Sequence, residues 1–188
     1  MKKILLIAAA ALVSFTAFAQ PKFGHVNFEE ICQLAPEADS ARVKMAASQK
    51  EAQETYQTMV DEFNAKYQTY QNESKTWSDA IRQVKEKELT QIQQTIQEFQ
   101  QTISTELQQK QQALYAPIYE KAQNVVKDLA KKNNCVYVFD ITSLLYYDDT
   151  QSMDLTPAAR KAMGIAEDRT IESLQAELQA QQQAQQAR

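Results

Sequence analysis

The chain has 188 residues, a net charge of −4 and a single histidine. A mildly acidic, mixed-sign composition carries no electrostatic footprint for nucleic acid or for anionic lipid. Two glycines in the whole chain, Gly24 and Gly164, favour long uninterrupted helices over a loop-rich fold.

Met1-Lys2-Lys3 is a short basic start, followed by an apolar run from Ile4 to Phe18 and the small-x-small pattern Ala17-Phe18-Ala19. That run is shorter than the roughly 20 residues of a membrane span. Residues 1–19 therefore read as a cleaved export signal rather than an anchor, with the mature chain starting at Gln20. Loss of Lys2 and Lys3 takes the net charge to −6. In an oxidising compartment Cys32 and Cys135 are free to form a disulfide or to remain two small buried thiols, and the sequence leaves both open.

Lys22–Phe28 alternates as a short strand, with Val26 and Phe28 as its apolar positions. Glu29–Leu34 is a helical turn, and Pro36 suits the first position of a helix, where its missing N–H costs little. From Tyr56 to Leu129 apolar residues recur at steps of three and four: Tyr56, Val60, Phe63, Tyr67, Tyr70, then Trp77, Ile81, Val84, and after a slip Leu89, Ile92, Ile96, Phe99, Ile103 and Leu107. This spacing is a coiled-coil signature. One helix from Pro36 to Lys132 would be on the order of 145 Å long and would strand the first β-segment far from the later ones. The chain must fold back, and residues 72–79, where Ser74 occupies an apolar slot and Ser78 can cap a returning helix, are the expected turn. Pro117 then kinks the returning helix where it enters a globular base. Lys131-Lys132-Asn133-Asn134 closes it.

Cys135–Ile141 is a β-branched and aromatic strand, and Leu144–Tyr147 is expected to be another. Asp154-Leu155-Thr156-Pro157 opens a last short helix that stops at Gly164. Residues 166–188 are Gln/Ala-rich, a weak helix that frays into a tail. The fold class is thus mainly α with a small β-sheet body. Residues 20–35 and 117–165 form that body, and residues 36–116 form a long antiparallel helical hairpin arm projecting from it.

Nothing in the chain composes a catalytic centre. His25 lies on the first strand with no Cys or carboxylate at metal-ligand spacing, and no nucleophile motif, phosphate-cradling glycine loop or Cys-x-x-Cys occurs. No enzyme activity, metal or cofactor is expected. Tyr56, Met59, Phe63, Tyr67, Tyr70 and Trp77 crowd large, partly polar side chains towards the arm's tip, where a tight two-helix seam favours Leu, Ile and Val. These six serve as plain arm packing, as adaptable contacts to client chains, or as both.

The order of these parts resembles the Skp/OmpH family of periplasmic chaperones for outer-membrane proteins. Phe23-Gly24-His25-Val26-Asn27 is similar to that family's opening strand, and Ala116-Pro117-Ile118-Tyr119-Glu120-Lys121-Ala122 to the segment where its long helix re-enters the body. Trp77-Ser78-Asp79-Ala80 resembles the start of the returning arm, Asn134–Asp140 the second strand, and Leu145–Asp148, Asp154-Leu155-Thr156 and Met163-Gly164-Ile165 the C-terminal end. The resemblance runs in order over residues 22–165. It implies a homotrimer whose sheets form a central body, with Val26, Phe28, Val136, Val138, Phe139, Ile141, Leu144 and Leu145 building the trimer body here. It also implies three arms that enclose unfolded outer-membrane β-barrel proteins without ATP. The acidic charge departs from the basic members that hold acidic clients electrostatically, and no matching basic cluster for lipopolysaccharide is present. The competing expectation is a structural coiled-coil envelope protein or an adaptor hairpin without chaperone activity.

Overall fold

A computed structural model describes residues 22–186. The expected signal, residues 1–19, lies outside the described residues.

Strand β1, Lys22–Val26, runs into Asn27, whose side-chain oxygen accepts the Glu30 N–H at 3.1 Å and caps the short helix α1, Phe28–Gln33. Phe28 thus begins a helix instead of ending the strand. Helix α2, Pro36–Glu73, starts with proline at its first turn, followed by Glu37 and Asp39 at the positive end of its dipole. A 3-10 turn over Ser74–Thr76, then Trp77 and Ser78, reverses the chain. The Ser78 hydroxyl accepts the Ile81 N–H and caps helix α3, Asp79–Asn133.

The two helices, 38 and 55 residues long, lie antiparallel. Contacts between them run in reverse order along the chain: Glu37 with Lys121, Tyr56 with Gln100, Lys66 with Glu88 and Tyr70 with Glu86. Helix α3 continues through Pro117, which removes one backbone donor without ending the helix. Asn134, in the left-handed region at φ 55°, ends it by donating its N–H to the carbonyls of Ala130 and Lys131.

Strand β2, Cys135–Asp140, follows directly. The expected strand at Leu144–Tyr147 does not form. The Asp140 carboxylate accepts the Thr142 N–H at 3.2 Å and its hydroxyl at 2.8 Å, and this turns the chain into a 3-10 segment, Ile141–Ser143. The third strand is instead β3, Ser152–Asp154. All pairing is parallel, in the order β2-β1-β3 with β1 central. Helix α4, Thr156–Met163, stops at Gly164 with φ 77°, and a final helix α5 spans Ile171–Gln186.

The core sits between the inner face of the sheet, α1, α4 and the proximal ends of α2 and α3. Ile31, Leu34, Ala38, Ile118, Ala122, Leu155 and Met163 are its centre. Gly24 is tightly packed there: a Cβ at that position would stand 3.1 Å from Leu155 Cδ1 and 3.4 Å from both Cys135 Sγ and Val138 Cγ2. Helix α5 joins the core through Leu174, with Ile171 and Leu178 beside it on the same stripe.

Candidate functional site

From Gln49 to Pro117, the whole arm beyond its base, no side chain is fully buried. The stripe that the spacing places on one face is only half-covered, because two helices can shield only the seam between them. The six expected arm residues form a string along α2 and the tip rather than one site. The Tyr56 hydroxyl accepts the Gln100 amide at 3.0 Å, and Met59 is half-buried. Phe63 and Tyr67 stack with centroids 5.9 Å apart, and Tyr67 is exposed. At the tip Tyr70 meets Trp77 edge-on at 6.0 Å. The Tyr70 hydroxyl donates to the Glu86 carboxylate, a bond that holds the phenol above its usual pKa. Ile81 and Val84, members of the same stripe on α3, are exposed beside them.

The body presents a second surface. Past a register shift that skips Val136, side chains alternate along β2, so Val138 packs on the core while Tyr137 and Phe139 are exposed. Tyr137 is 59% exposed and Phe139 43%; Phe23 stacks on Tyr137 at 6.3 Å, and Tyr137 lies 6.1 Å from Phe139. Leu145 and Tyr146, in the loop after β2, are wholly or almost wholly exposed, with Val136 and Met153 also open to solvent. A parallel sheet is normally covered on both faces, and this one leaves Phe23, Tyr137 and Phe139 uncovered within the protomer.

Of the residues expected to build the trimer body, Val136, Phe139 and Leu145 are exposed, and Phe28, Ile141 and Leu144 are half-buried. Val26, 2% exposed, belongs to the protomer's own core, as Val138 largely does. Phe23, Tyr137 and Tyr146, outside that expected set, are exposed as well; alternation separates the two faces of Cys135–Asp140 without saying which one meets water.

Buried polar groups in the body are structural. His25, 5% exposed, pairs its Nδ1 with the Ser152 hydroxyl at 2.9 Å, and its ring lies 4.6 Å from Tyr147. Cys32 and Cys135 are both free thiols. Burial, reinforced by the Asp140 charge, pushes the Cys32 thiol up to about 11. Among the described residues no group of His, Cys, Asp or Glu could hold a metal ion, and no helix is long and apolar enough to cross a membrane.

A long half-covered helical hairpin set on a small parallel-sheet body, with an uncovered aromatic face, defines an arm-and-body coiled-coil protein. Within that class the chain belongs to the outer membrane protein (OmpH-like) family, whose model matches residues 22–163. Its fold is similar to the crystal structure of a candidate outer membrane chaperone (OmpH-like) from Caulobacter crescentus CB15. That similarity has a TM-score of 0.68 at 10% identity, over 77% of this chain and 85% of the other. No curated protein matches the sequence. All of α5 and the loop before it lie beyond the family match.

Proposed function

We propose that this chain is an ATP-independent periplasmic holdase. It binds unfolded outer-membrane β-barrel proteins in a cavity between the arms of a homotrimer and keeps them from aggregating, without catalysis. The observation that carries this reading is the arm itself: a periodic aromatic and aliphatic stripe runs its length, yet no residue from 49 to 117 is fully buried. A rigid spacer gains nothing from leaving such a stripe half-open, whereas a holdase needs many weak apolar contacts that form and break easily. Three arms presenting them together would hold a client by avidity although each contact is weak. Membership of the OmpH-like family and the fold shared with a candidate outer membrane chaperone support the same reading. The open face around Tyr137 and Phe139 supports assembly through the body, and the apolar N-terminal segment supports export.

The test is aggregation of a urea-unfolded outer-membrane β-barrel diluted into buffer with residues 20–188 and no nucleotide, followed by light scattering. Suppression complete at about three chains per client is the expected result for a trimeric cage. Unchanged scattering at large excess of the protein refutes the holdase and leaves a structural coiled coil as the better account.

A further inference from the structure

We propose that the arm wall holds unfolded chains without regard to their net charge, through uncharged amides that engage the client's unpaired backbone. The inference rests on the holdase reading and adds the chemistry of what is held. Residues 89–119 of α3 contain three charged side chains, Glu98, Glu106 and Lys110. At 1.5 Å per residue this stretch covers roughly 45 Å of wall. It carries ten glutamines, all exposed. Among the described residues only Gln100 of these ten spends its amide inside the chain, donating to the Tyr56 hydroxyl. Three of the four threonines on this stretch behave differently: the hydroxyls of Thr90, Thr95 and Thr102 donate to carbonyls four residues back in their own helix. Apart from the Ser104 and Thr105 hydroxyls, the uncharged polar groups left free on the wall are chiefly the amides.

A glutamine amide offers two donors and two acceptor lone pairs, the same repertoire as the peptide group. An unfolded β-barrel strand exposes such peptide groups along its length, whatever its side chains, so a wall of free amides beside a half-open apolar seam matches that occupant. The charges elsewhere on the arm largely cancel in place. Lys50 pairs with Glu54, Lys66 with Glu62 and Glu88, Lys85 with Glu88, and Arg82 with Asp79. The amide surface continues onto α5, which has no charged residue after Glu177. There Gln181 and Gln182 join Gln49 and Gln111 around a cleft of about 590 Å³ at the arm base. The charged end of that cleft is neutralised by Arg42 and Arg169 on Asp39 and by Arg169 on Glu177.

The experiment measures binding of two dye-labelled, urea-unfolded outer-membrane β-barrels, one acidic and one basic, to residues 20–188 by fluorescence anisotropy. Sodium chloride is raised from ~0.1 M to ~1 M, which shortens the screening length from about 10 Å to about 3 Å. The dissociation constant of each client is expected to stay within about threefold, and a larger weakening by salt overturns the proposal. A second protein carries Gln94→Glu, Gln97→Glu, Gln101→Glu and Gln108→Glu, all at exposed positions. It should bind the acidic client more than about tenfold more weakly at low salt and regain affinity at high salt. If that variant binds the acidic client as the parent does, the amides are not where the client lies and the proposal fails. Absence of binding by the parent in either buffer refutes the holdase reading itself, and the amide wall with it.

Discussion

Replacing Tyr137 and Phe139 together by serine tests whether the open sheet face holds the proposed trimer together. An aromatic side chain has about 200 Å² of surface to bury. Tyr137 keeps 59% of its surface outside the protomer and Phe139 keeps 43%, so the two rings leave roughly 200 Å² for a neighbour. At ~25 cal/mol per Å² this is worth about 5 kcal/mol per protomer if burial is complete, an upper limit. The double variant should therefore weaken association by about three to four orders of magnitude. Within the protomer the loss is confined to the contacts of Tyr137 with Phe23 and Phe139, about 1 kcal/mol for each aromatic pair. Sedimentation velocity over a dilution series should show the variant dissociating at a far higher protein concentration than the parent, with unchanged far-ultraviolet circular dichroism. A variant that comes apart at the same concentration as the parent would refute the reasoning, because contact area lost on this face must appear as weaker association. Val138 is unsuitable for the same test, since its side chain packs on the core and its loss would destabilise the fold itself.

Replacing exposed Tyr67 together with the tip residue Trp77 by alanine should leave the sedimentation of the proposed trimer unchanged. It should raise the amount of protein needed to suppress client aggregation several-fold, each lost ring contact being worth about 1 kcal/mol. The two glycines should fail for different reasons. Gly24→Ala drives a methyl group against Leu155 and should cost about 1–3 kcal/mol in urea melts. Gly164→Ala meets no neighbour but strains a positive φ, costing about 1–2 kcal/mol, and Gly164→Asn should recover part of that loss. In the native protein at pH 8 Cys135 should react with a disulfide reagent before Cys32, whose thiol is buried and still protonated, and Cys32 should follow only in denaturant. The sign of the linked pH effect follows. Between pH 9 and about 11 the unfolded chain ionises this thiol and the folded one does not, so stability falls as pH rises through that window. Equal reaction of both native thiols would contradict the burial of Cys32.

The helices and their ends were legible in the residues alone because their causes are local. Steps of three and four from Tyr56 to Leu107 place the stripe, Ser78 caps the returning helix through the next turn's N–H, and Asn134 accepts the left-handed position that ends it. The fold-back itself followed from the need of Lys22–Val26 for a partner strand, and that partner is Cys135–Asp140. Strand propensity misled at Leu144–Tyr147, because residues apt for a strand are also apt for an exposed apolar loop. What the residues could not show was the pairing: both sides of β1 are taken by Cys135–Asp140 and Ser152–Asp154, so 144–147 has no place beside it. Which of the two alternating sets on β2 faces water could not be read locally either. Alternation defines two faces, and only the packing of α1, α4 and the arm base decides which one is covered. The tertiary structure alone also ties the tail to the arm, through Arg169 at 2.6 Å from Asp39, 130 residues earlier in the chain. Charges so far apart in sequence meet only because the sheet first brings the chain's beginning and end to the same body.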